Sequence, residues 1–308
     1  MINTDDFKLI MISAGFEHGG NVTHRLFDGH PELFVYPFES QLGNSLLSDY
    51  LSSIFHFKYR YPEFPVTGAF EDDFDLFFDE EMKVRLRTPH VSKFRNADIQ
   101  LDDMDRKKLF VELLKGTTRS RNSIVAAFFK ATFDSWSNLN KTGKEHAYVG
   151  YSPAISIDTE RILSDFPRSH IVHIVRNPFS AYAETKQRPF PHSIQRYTIS
   201  YNILHHMAAM FEERYPDRFH ILRYEDIISD TAQVFSKLCK KIDIAYSDSF
   251  TYPSWNGNKL TEAYPWGTIK KPTRDEDDSI RNRLSQNEYN EIKSYSKLIL
   301  KRFNYDNY

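Results

Sequence analysis

Residues 7–23 read FKLIMISAGFEHGGNVT. Phe7–Ser13 is an apolar run broken only by Lys8. Its length and its Ile, Leu and Met content predict a buried parallel strand rather than a helix. Gly15, Gly19 and Gly20 follow within a short loop, and Val22, Leu26 and Phe27 then recur at helical spacing. A strand, a glycine loop and a helix in that order aim backbone N–H groups and a helix N-terminus at an anion. Gly15 to Gly20 gives the spacing of a nucleoside triphosphate loop, but Asn21-Val22 stands where that motif needs Lys-Ser/Thr. The lysine for the β- and γ-phosphates and the hydroxyl for Mg²⁺ are both missing. A tight turn and an anion site remain equal readings from this stretch alone.

Outward from this stretch, apolar strands and amphipathic helices alternate. Glu32–Tyr36 reads as a second strand, closed by Pro37, and Ser40 to about Phe57 as an amphipathic helix with Leu42, Leu46, Leu47, Leu51 and Ile54 on one face. FEDDFDLFFDEEMK, within the irregular region 58–104, is expected to be a helix with a solvated acidic face over an apolar one. Asp105–Lys115 and Ser123–Trp136 read as helices, joined by the basic connector KGTTRSRN, which is either an anion holder (Lys115, Arg119, Arg121) or an ordinary loop. Tyr148–Tyr151 is a strand, Asp158–Phe166 a helix opened by an Asp cap, and His170–Val175 the clearest buried strand. Arg176-Asn177-Pro178 stops that strand. Phe179–Gln187 and Ser193–Tyr215 are helices, Phe219–Tyr224 a fifth strand, and Asp226–Lys241 and about Ser285–Phe303 helices. This pattern predicts one α/β domain over 1–308, with about five parallel strands flanked by helices and an acceptor-side insertion at about 58–145.

Composition narrows the function classes. Forty per cent hydrophobic residues in 308 supply a core, and a net charge of −2 implies no nucleic-acid partner. A single cysteine, Cys239, leaves no internal disulfide framework and fits a reducing compartment. No apolar run reaches membrane-spanning length, and acidic residues stand where a signal peptide would be basic. A cytoplasmic protein is expected. No His/Cys spacing suggests a metal site.

Four stretches in fixed order resemble the sulfotransferases that use 3′-phosphoadenosine 5′-phosphosulfate (PAPS) and release 3′-phosphoadenosine 5′-phosphate (PAP). They are SAGFEHGGNVTHRLFDGHPEL, HIVHIVRNPFSAYAETKQR, FHILRYEDI and SWNGNKLTEAYPWGTIKKPT. The resemblance implies a P-loop-like fold and sulfuryl transfer to a hydroxyl or amine of a small-molecule or saccharide acceptor, with no metal. The 5′-phosphosulfate would lie on Gly15, Gly19, Gly20, Asn21 and Val22. Arg176 would hold the 3′-phosphate. The family commonly places a serine eight residues further on; Glu184 stands there and would repel a phosphate, leaving Ser180 or Thr185 as the hydroxyl. Tyr224 would contact adenine, while Glu225 would bond backbone. Trp266, Gly267, Thr268 and Lys270, with Lys271 as fallback, would close over the donor, and Trp255 would pack the lid or the acceptor.

The loop departs from the family pattern, since Glu17-His18 replaces the usual cation. His18 as an imidazolium would take over its role on the leaving oxygen. Glu17 is expected to turn away or to pair with a basic residue. Glu39, just past the second strand, matches the catalytic glutamate of tyrosylprotein sulfotransferases, and its other reading is a carboxylate at the N-terminus of the Ser40 helix. His56, His90 and His146 are the histidine alternatives. The rival readings are a P-loop kinase or NTPase, disfavoured by Asn21-Val22, and a non-catalytic PAPS/PAP-binding protein. The acid- and aromatic-rich region 58–104 would suit a cationic or sugar-like acceptor.

Overall fold

A computed structural model describes residues 3–85, 98–188, 191–260, 279 and 282–307. Five parallel strands form its main sheet: β1 (Lys8–Ala14), β2 (Leu33–Val35), β3 (Ala147–Tyr151), β4 (His170–Val175) and β5 (Phe219–Arg223), in the order β2-β3-β1-β4-β5. β1 is the central strand and all seven of its residues are buried. Side chains alternate across a strand. Leu9 and Met11 therefore face α2 (Phe70–Arg85), α3 (Asp103–Leu114), α4 (Arg121–Ser135) and the later helix α7 (Ile194–Arg214). Ile10, Ile12 and Ala14 face α1 (Gly20–Phe27), α8 (Tyr224–Ser229) and α9 (Thr231–Lys241). This double cover is why the strands read as continuous apolar runs.

The chain leaves β1 towards β2 and β3 on one side and returns to β4 and β5 on the other. The carboxyl end of β1 thus lies at the point where the strand order reverses, the usual crevice for a ligand in an open α/β sheet. Two further helices complete the frame between β3 and β5: α5 (Thr159–Asp165), preceded by a 3₁₀ turn at Ile155–Asp158, and α6 (Pro178–Thr185). The hairpin β6 (Ser254–Trp255) and β7 (Asn258–Lys259) and the helices α10 (Gln286–Tyr295) and α11 (Lys297–Arg302) follow α9.

Several boundaries depart from expectation. The helix predicted from Ser40 to Phe57 does not form. The Ser40 amide and hydroxyl both bond the Tyr151 carbonyl, at 2.7 and 3.1 Å, so the chain keeps running along β3. Gly43 packs so tightly that a Cβ would lie 1.7 Å from the Phe57 carbonyl oxygen. Only two 3₁₀ turns, Tyr50–Ser53 and Phe57–Tyr59, remain. Asp158 does not cap α5 with its side chain, because its carboxylate takes Arg60 Nε and Nη2 at 2.7 and 2.8 Å. Asp230 divides the expected 226–241 helix by capping α9 at the Gln233 amide, and Ser296 divides the last one.

The acidic helix α2 keeps part of the solvated face expected of it, with Glu71, Asp72, Asp75 and Asp79 exposed, but other acids turn inward. Asp73, Glu80 and Glu81 are buried. Glu81 accepts from Arg106 Nη1 and Nη2 at 2.9 and 3.1 Å, and Asp73 from Arg119 Nη2 at 2.5 Å. These acids hold α2 to α3 and to the α3–α4 connector.

Candidate active site

The loop after β1 is shaped by the side chains around it. Gly19 has φ +84°, and a Cβ there would come within 2.3 Å of the Tyr224 ring. A Cβ on Gly20 would strike Tyr151, and one on Gly15 the His18 ring. Gly19 needs glycine for both backbone angle and space, and Gly15 and Gly20 for space. Gly19 stands at the N-cap of α1 without any side-chain cap, and the first turn carries no acidic residue. The opening N–H groups of α1 therefore face the loop without an intrahelical partner. Glu17 takes a left-handed φ of 60° although it is not glycine. Two arginines hold it there: its carbonyl accepts from Arg176 Nη1 at 2.7 Å, and its carboxylate pairs with Arg188 at 2.8 Å. The pairing expected of Glu17 is thus present.

Glu39 reaches the same place from β2. The bonds of Tyr36 and Ser40 to Val149 and Tyr151 carry the chain along β3 and leave Glu39 half-buried at the start of α1. Asn21 Nδ2 lies 3.4 Å from Glu39 Oε1. With no helix following Ser40, the helix-terminus reading of this carboxylate falls away.

Arg176 ends β4 and is buried to 4% exposure, its guanidinium 4.7 Å from the centre of the Tyr224 ring. Its Nη1 also bonds Glu184 Oε2 at 2.6 Å. The carboxylate that would repel a phosphate is therefore the partner of the cation that would attract it. Pro178 opens α6 and the Asn177 side chain caps it at the Ser180 amide. Ser180 is buried in that cap. Thr185 is fully buried, with its hydroxyl on the Ala181 carbonyl at 2.8 Å. Glu225 accepts the Asn177 amide at 2.8 Å and the Tyr305 hydroxyl at 2.6 Å, the backbone-holding role expected of it.

His18 departs from its expected state. It is 1% exposed, stacked on His205 with ring centres 5.1 Å apart, and its Nδ1 has no hydrogen-bond partner. Burial, then the charge of Arg176 and the proximity of His173, push its pKa well below the ordinary histidine value. At neutral pH it is an uncharged imidazole, not the imidazolium expected as the loop cation. Beneath it Ser13, Ser156, His173 and His205 form a buried chain of contacts at 3.0, 3.1 and 2.9 Å.

Other sequence candidates lie apart from this cluster. Arg119 and Arg121 belong to carboxylate pairs with Asp73, Glu63 and Asp165. Asn122 contacts Thr4, so the basic connector lies at the amino ends of the strands. Trp255 is buried against Trp136 and Arg25. His56 caps a 3₁₀ turn and His146 is exposed just before β3. Trp266, Gly267, Thr268, Lys270, Lys271 and His90 lie outside the described residues. Sequence reasoning missed Tyr151, whose ring limits the room at Gly20 and which only its place at the end of the β3 run could have suggested.

Gly15, Gly19, Gly20, Asn21, Glu39, Arg176 and Tyr224 thus converge on the carboxyl ends of β1, β4 and β5. The family model described as "Sulfotransferase family" matches residues 43–248. The chain belongs to the sulfotransferase family. That match begins beyond the glycine loop, so the loop assignment rests on its geometry. Distant solved structures resemble this sulfotransferase. The sulfotransferase domain of the Synechococcus PCC 7002 olefin synthase is 11% identical, covers 92% of this chain and 96% of its own, and has a TM-score of 0.46. The sulfotransferase domain from the curacin biosynthetic pathway is 14% identical over 95% and 97%, with a TM-score of 0.48. Retinol dehydratase in a complex with retinol and PAP is 12% identical over 98% and 83%, with a TM-score of 0.42. Such distant likeness carries nothing about substrates. No curated protein matches the sulfotransferase. Among its described residues no group of three or more His, Cys, Asp or Glu is placed to hold a metal ion, and no helix is long and apolar enough to cross a membrane.

Proposed function

We infer that this sulfotransferase moves the sulfuryl group of PAPS to a hydroxyl or amine of a small-molecule or saccharide acceptor, in the cytoplasm and without a metal. The supporting observation is that the Glu39 carboxylate meets the uncapped first turn of α1, through Asn21 at 3.4 Å. One end of that arrangement suits an anionic donor and the other a proton acceptor. The glycines leave room for the 5′-phosphosulfate against backbone N–H groups, including those of Asn21 and Val22. Arg176 and Tyr224 would take the 3′-phosphate and the adenosine. Because Arg176 already holds Glu184, a 3′-phosphate must displace that carboxylate or share the arginine with it.

The acceptor oxygen or nitrogen attacks sulfur in line. The new bond to sulfur forms as the bond from sulfur to the bridging oxygen of the 5′-phosphate breaks. Glu39 takes the acceptor's proton, and PAP leaves with the electron pair. Charge growing on the bridging oxygen faces the start of α1, where fixed N–H dipoles stabilise it. His18, being neutral, would assist as a hydrogen-bonding group and not as a charge.

The test is PAP release from PAPS across a panel of alcohols, phenols, amines and sugars, with Glu39→Gln beside the wild type. Loss of a general base should lower kcat by about 10²–10⁴-fold while PAP binding stays unchanged. Equal turnover by Glu39→Gln would remove Glu39 from the mechanism.

A further inference from the structure

From Gly15 to Asn21 the glycine loop carries no lysine or arginine, and His18 within it is neutral. Two acids stand beside it instead, Glu17 in the loop and Glu39 at the start of α1. A sulfuryl group, itself anionic, would meet like charges there unless a cation is brought in. Arg188 reaches this end of the loop from α6. The chain keeps turning beyond that helix, with the Gln187 amide on the Glu184 carbonyl at 3.0 Å and the Arg188 amide on the Thr185 carbonyl at 3.2 Å. Lys186 is fixed to Glu288 at 2.8 Å. The turn brings the Arg188 guanidinium to 4.9 Å from the centre of the Phe16 ring and onto the Glu17 carboxylate at 2.8 Å. Its charge is also felt beside Glu39. Burial raises the pKa of Tyr59 and of Tyr151, Glu39 raises it further, and Arg188 opposes the rise. The Tyr151 ring lies against Gly20, the first residue of α1. Arg188, Glu39 and the first turn of α1 thus bear on the same few residues.

We propose that Arg188 is the cation that binds the sulfuryl group of the donor, and that Glu17 holds it until the donor arrives and then gives it up. This rests on the reading of the Gly15–Asn21 loop as the donor site. The pair suits exchange. Arg188 is 42% exposed and Glu17 36%, and an ion pair so open to water contributes little stability. Glu17 also holds a left-handed backbone, which persists only while its surroundings impose it. The guanidinium fork that grips its carboxylate can grip two oxygens of a sulfuryl group in the same way. Arg188 stays protonated throughout. As the bond from sulfur to the bridging oxygen breaks, the electron pair goes to that oxygen and the acceptor's proton to Glu39, while Arg188 donates hydrogen bonds only.

PAP lacks the sulfuryl group, so comparing the two nucleotides isolates this contact. PAPS and PAP are each titrated calorimetrically into the full chain without acceptor, for the wild type, Arg188→Ala, Arg188→Lys and Glu17→Gln. Arg188→Ala should weaken PAPS about tenfold or more while PAP moves by no more than about twofold. Arg188→Lys keeps the charge but loses the fork, and should recover part of that loss. Glu17→Gln should act in the opposite direction and tighten PAPS about two- to fivefold, because Arg188 no longer has a carboxylate to leave. No loss of PAPS in Arg188→Ala, an equal loss of both nucleotides, or weaker PAPS in Glu17→Gln overturns the proposal; Arg188 would then serve the loop only through Glu17. Wild type that binds neither nucleotide overturns the donor reading, and this proposal with it.

Discussion

Two buried arginines show how differently the same side chain is used in this fold. Arg106 is fully buried, with Nη1 and Nη2 on Glu81, Nη2 also 2.7 Å from the Tyr36 hydroxyl and Nε 3.0 Å from Thr132. All of these partners are themselves buried, and Asp103, 3.9 Å from Nη1 and 27% exposed, stands at the network's edge. Arg176 is almost as buried, yet its carboxylate partner Glu184 is 30% exposed and it also bonds the strained Glu17 of the glycine loop. The Arg106 network holds α2, α3 and β2 together. One that opens to solvent can exchange its carboxylate for another anion.

The largest effect should come from breaking the Arg106 network. Arg106→Met leaves Glu81 buried without its counter-charge, and should cost about 3–5 kcal/mol in urea denaturation. A change below about 1 kcal/mol would show that the pair is open to water. Arg176→Ala should act on the ligand instead, weakening PAP by about 2 kcal/mol, the size of a charged hydrogen bond. An effect on stability alone would make Arg176 a second Arg106.

The buried histidines sharpen the contrast through pH. Burial lowers the His173 pKa to about 3 and pushes those of His18 and His205 well down. The unfolded chain therefore binds more protons than the folded one below about pH 6.5. Stability should fall from pH 6.5 towards pH 4, by up to about 1.4 kcal/mol per pH unit for each such histidine. Denaturation curves that do not change between pH 7 and pH 5 would contradict their neutral burial. The smallest effect is expected at Glu184. Glu184→Ser removes the competitor for Arg176, and should tighten PAP about fivefold, or about 1 kcal/mol. Weaker PAP binding in that variant would mean that Glu184 positions Arg176 rather than competing for it.

What the sequence revealed follows the range of the forces involved. β4 was legible to its ends, because a strand buried on both faces is a continuous apolar run, as in His170–Val175. The helix expected over Ser193–Tyr215 was legible from its local pattern, and Ser193 caps it at the Arg196 amide. The missing helix at 40–57 was not, because Ser40 is held by Tyr151, a contact that periodicity cannot show. At the site, the glycine loop, Arg176 and Tyr224 were legible as motifs, and the structure brings them together. The charge state of His18 was not, since His205 and Arg176, both distant in sequence, bury it and depress its pKa. The inward turn of the α2 acids was hidden for the same reason: Arg106 and Arg119, not local pattern, decide which of them leave water.

The most direct test of the central claim is calorimetric titration of the wild type with PAP in the absence of Mg²⁺. The account predicts micromolar binding, and the same affinity when Mg²⁺ is added. No binding of PAP, with binding of ATP that requires Mg²⁺, would contradict it and return the glycine loop to the nucleoside triphosphate reading that Asn21 and Val22 argue against.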